Sequence, residues 1–322
     1  MDPITHGLVG AAITAFSGTA VAVDNPLTIG AMMGAMSPDL DFVIRLFKDD
    51  AAYLEHHRGM SHTVPFLLAF SVAITVVLSQ VGFADFSFFS TLIWTFIGAL
   101  SHTGLDILNS YGAKLFKKKV KFSLLTLYDP VITLVGLIFI LNGKNTYVDL
   151  ISGSVIVLSY LIFRHKNKLN SAKRIEMILS EQYESISVTI MPSLKAFYKW
   201  DFVAHTLKHD IVGQYNPFLL NKSHNQRIKF LQVLEIQDHK LLELFKASQV
   251  GKVFGSFSPN LHIQIADDSE DNQLVLRAID LRYYFKENFM HHATLILDQE
   301  KNVVSSFLHP YHLSKSIPVF QN

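Results

Sequence analysis

The chain contains no cysteine. This excludes a disulfide framework and a thiolate ligand, so any bound metal must be held by imidazole and carboxylate groups. Charge is also scarce: only 17% of the 322 residues are Asp, Glu, Lys or Arg, and the mean hydropathy is +0.27. That is too apolar for an ordinary soluble protein of this length, which has room for two domains. A formal net charge of +1 lacks the clustered basic excess of a phosphate-tracking protein, and nucleic acid is excluded as a partner on that ground. The start, Met1-Asp2-Pro3-Ile4-Thr5-His6, has no positive region of the signal-peptide kind and is expected to be retained. There is no Gly-x-Ser-x-Gly, no phosphate-cradling glycine loop and no His-Glu-x-x-His, so no nucleophile constellation or zincin helix competes.

Four short polar clusters stand out against the apolar background. They are Met1 to His6, Ser37-Pro38-Asp39-Leu40-Asp41, His56-His57-Arg58-Gly59-Met60-Ser61-His62, and Ser101-His102 through Asp106. Each lies at the end of an apolar segment, where an ionisable group is costly unless it binds something.

In chain order, Asp2-Pro3 is an N-cap followed by a first helical residue, and an apolar run rich in small residues follows from Gly7 to Val23, expected as a helix marginally long enough to span and able to pack closely on its neighbours. Asp24-Asn25-Pro26 breaks it. A shorter run, Leu27 to Met36, ends at a second cap pair, Ser37-Pro38, and the turn between the runs places His6 on the same side as Asp39 and Asp41. Apolar helices are expected near Val64 to Val81 and Phe86 to Leu100, the latter continuing through His102 and Asp106 with Gly112 as its C′ residue. Two more are expected over Pro130 to Leu141 and Leu150 to Phe163. The five lysines between Lys114 and Lys121 and the basic stretch Arg164 to Lys168 put those loops, and with them the polar clusters, on the cytosolic face. After Lys168 charges and turn residues become frequent. A short helix is expected over Ser171 to Tyr183, and alternating stretches over Ser187 to Pro192, Ala196 to Tyr215, Lys252 to Ala266, Gln273 to Phe285 and Ala293 to Val304. Gln226 to Ser248 reads as a helix or an irregular link. The expected architecture is a mainly α membrane helical bundle over residues 1–168 with a metal site at its cytosolic face, then a soluble, mainly β (α+β) domain over residues 169–322.

His102 and Asp106 are four apart, so on a helix they project from one face and can share a cation or bond each other. For Asp39 and Asp41 the structural alternative is stabilisation by the helix dipole in the first turn after Ser37-Pro38. Their spacing points them to different sides, so Asp39 is expected to ligate and Asp41 to orient a histidine or bridge a second ion. His57 and His62, five apart, suit a loop that hands over one ligand before a helix and one as it starts, with Gly59 permitting the turn. Asp129, before Pro130, serves equally as a ligand or as an interfacial cap. His6 lies one turn into the first helix, where the alternative is a surface histidine. The later histidines His205, His209, His291 and His292 read as surface residues in strands.

Taken as an ordered set, Met1-Asp2-x-x-Thr5-His6, Pro38-Asp39-x-Asp41, His57-Arg58-Gly59-x-Ser61-His62 and Ser101-His102-x-x-x-Asp106 resemble the signature of the YdjM family (DUF457), bacterial membrane-bound proteins predicted to be metal-dependent hydrolases. The resemblance covers the chain to about Phe163. More remotely, that family is similar to the zinc-dependent phospholipase C and P1 nuclease group, helical enzymes that hydrolyse phosphoesters at a metal cluster. The analogy implies that His6, Asp39, His57 or His62, His102 and Asp106 are ligands. The downstream histidine and glutamate pair with which that group holds a further metal has no counterpart here.

The expectation is therefore a multi-pass protein of the bacterial cytoplasmic membrane, in contact with its lipids. It would carry one or two divalent ions, zinc first by its mixed His and Asp donors, with manganese or iron as the other choices. Arg58 would hold a phosphate oxygen of a lipid or lipid-linked phosphoester. An alternative of a different class makes the helices an anchor and gives the work to the C-terminal domain, as a regulatory module binding a protein partner.

Overall fold

The computed structural model describes residues 1–39, 60–110, 112–114, 119–194, 196–219, 227–236, 239–266, 273–310 and 313–320. These divide into two compact units. One comprises the described residues up to Leu169 together with 191–198, and the other 170–190 and 199 onward.

Among the described residues six helices build the first unit, and proline with a capping side chain starts several of them. Helix α1 (Pro3–Ile13) is capped by Asp2, which accepts from the Thr5 backbone N at 3.0 Å. Helix α2 (Pro26–Met36) is capped by Asn25, which accepts from Leu27 N at 2.9 Å. Helices α3 (Val64–Leu78), α4 (Phe88–Leu108), α5 (Pro130–Leu141) and α6 (Tyr147–Ser180) follow. A short 3₁₀ turn, Met60–His62, precedes α3. Between α4 and α5 a two-stranded ladder pairs β1 (Ala113–Lys114) with β2 (Lys119–Val120).

Two expectations change here. The first apolar run is not one helix to Val23: α1 ends at Ile13, a 3₁₀ turn covers Thr14–Ser17, and Gly18 takes a left-handed conformation with φ 78°. Thr14 donates its hydroxyl to the Ala11 carbonyl at 2.6 Å and meets Thr28 at 3.2 Å, side-chain bonds that compete with helix continuation. Gly112 is not a C′ residue either, since α4 stops at Leu108 with Asn109 extended. Gly112 instead donates its N–H to the Asn109 side chain at 3.2 Å.

Helix length decides which segments can span a bilayer. At 1.5 Å per residue, about 20 residues are needed for a hydrocarbon core about 30 Å thick. Among the described residues two helices are long and apolar enough, α4 with 21 residues and α6 with 34; α3 and α5 are shorter apolar helices of 15 and 12. Large apolar side chains point outward on α3 to α6, among them Val76, Phe89, Leu134, Ile151 and Leu158.

The inside of this unit is made of small residues in close approach. A Cβ on Gly34 would fall 2.1 Å from the Thr95 carbonyl oxygen, and one on Gly98 2.1 Å from that of Ala31. Helices α2 and α4 therefore touch backbone to backbone, the packing mode of small residues between helices in an apolar medium. Buried hydroxyls there bond back along their own helices: Thr95 donates to Thr91 O and Ser71 to Leu67 O, each at 2.7 Å.

Among the described residues the second unit holds two large sheets and one small hairpin. In the first, β3 (Ser187–Pro192), β4 (Trp200–His205), β5 (His209–Tyr215) and β6 (Ile228–Glu235) lie in chain order. Trp200, Phe202, Ala204, Ile211 and Tyr215 form its core with Ile175, Ile178 and Leu179 from the end of α6. In the second sheet β7 (Leu261–Ile265), β8 (Leu274–Asp280), β11 (His291–Leu297), β12 (Val303–Pro310) and β13 (Ile317–Pro318) run in the spatial order β13-β12-β11-β8-β7, antiparallel throughout. A small hairpin of β9 (Tyr284–Phe285) and β10 (Asn288–Phe289) joins β8 to β11. Helices α7 (His239–Ala247) and α8 (Gln249–Phe257) pack on this sheet through Phe245, Val250, Val253 and Phe254.

The region expected as strand from Lys252 begins instead in α8. Val250, Val253 and Phe254 recur at the three- and four-residue helical spacing, and that periodicity prevails over the apparent alternation. The link from Gln226 to Ser248 resolves into a strand and a helix, β6 and α7. Helix α6 runs unbroken through the basic stretch at Arg164, where a loop and a separate short helix were expected. Arg164 there donates to the carbonyls of Leu124 at 3.0 Å and Phe197 at 2.8 Å.

Candidate metal centre

Two helices and two short turns bring the polar clusters together. The α1/α2 hairpin returns the chain so that His6 on α1 stacks on His102 of α4, with ring centroids 3.7 Å apart. Asp39 follows α2, and its Oδ1 lies 3.5 Å from His102 Nε2. His62 closes the 3₁₀ turn before α3, with its Nε2 3.2 Å from that of His102. Asp106, one turn beyond His102, places Oδ2 at 3.5 Å from His62 Nε2 and 3.7 Å from His102 Nε2. The ligand atoms of Asp39, His62, His102 and Asp106 all lie within 4.8 Å of one another, the one such group of four among the described residues.

Second partners fix the rings. His102 Nδ1 lies 2.7 Å from the Ala35 carbonyl oxygen, an acceptor only, so Nδ1 carries the hydrogen and Nε2 turns its lone pair to the carboxylates. His62 Nδ1 is held by Ser61 Oγ at 3.0 Å. Asn109 donates to Asp106 Oδ1 at 2.7 Å. Met1 N also contacts Asp106 Oδ1 and lies 2.9 Å from His6 Nε2. The side chains of His62, His102 and Asp106 are fully buried, whereas Asp39 is 17% exposed and forms the open side.

The donor set fits a divalent ion. Ligands bonded at about 2.0 Å around a tetrahedral ion stand about 3.3 Å apart; four of the six edges here run from 3.2 to 3.7 Å and all six lie within 4.8 Å. Two imidazole nitrogens and two carboxylates facing one point form a set suited to zinc, manganese or iron.

Of the residues expected at the site, Asp39, His62, His102 and Asp106 converge, and His6 stands beside them with Nε2 directed at Met1 N and at Asp106 Oδ1, 3.3 Å away. Asp129 does not join the group. It caps α5, accepting from Val131 N at 3.2 Å and Ile132 N at 3.4 Å, and its second oxygen accepts from Tyr160 at 2.8 Å. Asp41, His57 and Arg58 lie outside the described residues. Sequence reasoning missed Ala35, Ser61 and Asn109, whose contributions are a main-chain oxygen and neutral side chains with no ligand signal of their own.

A helical unit with a buried carboxylate and imidazole cluster, joined to a sheet unit, is the class of protein these features define. Residues 1–170 match the model of the YdjM inner membrane protein family, and the chain belongs to that family. Residues 240–317 match the YfhP C-terminal alpha/beta plait domain. The chain is similar to the uncharacterized protein YfhP of Bacillus subtilis (strain 168), 25% identical over 323 residues that cover 95% of this chain and 94% of that protein. No solved structure matches it.

Proposed function

We propose that the chain is a multi-pass, metal-dependent hydrolase of the bacterial cytoplasmic membrane, acting from the cytosolic face on a phosphoester of a lipid or lipid-linked substrate that enters sideways from the bilayer. The observation that carries this reading is the convergence of Asp39, His62, His102 and Asp106 at the end of an apolar helical unit. The outward apolar side chains of α3 to α6 and the inner membrane family support the membrane setting. Zinc is the first choice of ion, one or two in number, and when bound it supplies Lewis acidity and lowers the pKa of a coordinated water.

The chain's own residues supply orientation. Ala35 and Ser61 hold the two rings, and the buried carboxylate of Asp106 balances the charge of a cation at the site. Asp39, the part-exposed member, marks the side from which a substrate approaches. Arg58 is assigned to a phosphate oxygen, Asp41 to orienting a histidine or bridging a second ion, and His57 to a further ligand. The relation to the phospholipase C and P1 nuclease group belongs to this reading.

The test is hydrolysis of bis(p-nitrophenyl) phosphate and of phospholipid in mixed micelles by detergent-purified protein supplied with zinc or manganese. Turnover that disappears in His62→Ala is expected. No turnover of either substrate with either metal would overturn the reading.

A further inference from the structure

The second unit holds another polar cluster, and it is independent of the hydrolase reading. Asp210 on β5 uses both carboxylate oxygens on histidines: Oδ1 lies 2.6 Å from His205 Nδ1 on β4, and Oδ2 lies 2.7 Å from His262 Nδ1 on β7. His205 is the register partner of Asp210 across the β4/β5 pair, whereas β7 belongs to the other sheet. The carboxylate has acceptors only, so both rings carry a hydrogen on Nδ1. His205 Nε2 faces a second acceptor, Asn260 Oδ1, at 3.4 Å. The bond to Asp210 pushes the His205 pKa up, which favours the protonated ring.

Such a triad suffices to tie two sheets together, but a tie alone does not account for the space beside it. His205, Asp210 and His262 line a cavity of about 300 Å³, together with Lys246 on α7 and aliphatic side chains that include Leu242 and Ile263. Lys246 lines the cavity beside the single carboxylate of Asp210, whose oxygens are already engaged by the two histidines. The recess sets a lysine whose counter-charge is already engaged by histidines over an apolar floor, and its volume lies at the small end of ligand sites.

We propose that this recess binds a small amphiphilic anion, its carboxylate or phosphate group seated between Lys246, His205 and His262 and its short apolar body against Leu242 and Ile263. An oxyanion there gains a charge-assisted bond from the Lys246 ammonium. The aliphatic floor discriminates against an anion with no hydrocarbon part.

The test is calorimetric titration of the full-length protein in detergent with butyl phosphate, butyrate and inorganic phosphate. Saturable binding of butyl phosphate or butyrate is expected, and the tighter of the two identifies the headgroup. It should be weakened roughly tenfold or more by Lys246→Gln and restored by Lys246→Arg. Lys246 is exposed on its helix, so neither change should shift thermal unfolding. Leu242→Gln should weaken butyl phosphate while leaving inorganic phosphate, the poorer ligand throughout, unchanged. Absence of saturable binding by both organic anions, binding indifferent to Lys246→Gln, or inorganic phosphate bound as tightly as butyl phosphate would each overturn the proposal.

Discussion

The imidazole of His102 reaches across from α4 to the end of α2, where its Nδ1 meets the carbonyl oxygen of Ala35 at 2.7 Å. That bond crosses the backbone-to-backbone contact of α2 and α4 and sets which ring nitrogen faces Asp39, His62 and Asp106. Helix packing and the chemistry of the site are thereby linked, because any change in the spacing of α2 and α4 moves the ring.

Gly98, one turn before His102, has no room for a side chain: its Cβ would lie 2.1 Å from the Ala31 oxygen and 2.8 Å from the Ala31 carbon atoms. Gly98→Ala is expected to force the helices apart and destabilise the protein by about 1–3 kcal/mol. Gly104, also on α4, has nothing within 4 Å of such a Cβ. Gly104→Ala should be neutral or stabilising by up to about 1 kcal/mol, through helix propensity. Thermal unfolding of the pair checks both, and loss of stability in Gly104→Ala with none in Gly98→Ala would contradict the packing.

Asp129 separates a cap from a ligand. Asp129→Ala removes the α5 cap and the Tyr160 bond and should lower stability by about 1–2 kcal/mol. Metal content should not change. Metal lost together with that substitution would make Asp129 a ligand after all.

The Asp210 triad predicts a pH window. His205 is raised by its bond to Asp210, so its stabilising contribution is full below the unfolded value of about 6.5 and is lost as pH rises through the folded one. Burial raises Asp210, but its bonds from His205 and His262 outweigh this and leave it lowered. Its contribution is full above about 3.9 and is lost as pH falls through the folded value. The difference in melting temperature between the native chain and Asp210→Asn should therefore be largest between about pH 4 and 6.5 and shrink on both sides. A difference that is flat from pH 3 to 9 would contradict the linkage.

Local signals in the sequence carried much of the first unit. The pairs Asp2-Pro3 and Asp129-Pro130 mark helix starts by side-chain capping and the missing proline N–H, which depend on neighbours in sequence alone, and Asn25-Pro26, read only as a break, starts α2 in the same way. His102 and Asp106 share a helix face for the same reason. The early end of α1 was illegible because a tertiary bond between Thr14 and Thr28 takes part in it. Helix α6 looked broken at Arg164 because composition changes there, although the arginine finds carbonyl partners contributed by Leu124 and Phe197. His205 read as a surface residue because its carboxylate partner lies across a turn and the second histidine comes from another sheet. Only the folded register brings them into contact.

The most direct measurement of the central claim is the metal content of full-length protein purified in detergent without a histidine tag, beside the double variant His102→Ala, Asp106→Ala. At least one equivalent of zinc, manganese or iron in the native chain and near none in the variant is the predicted result. Equal metal in the two proteins, whether near zero or not, would contradict a metal centre built on Asp39, His62, His102 and Asp106.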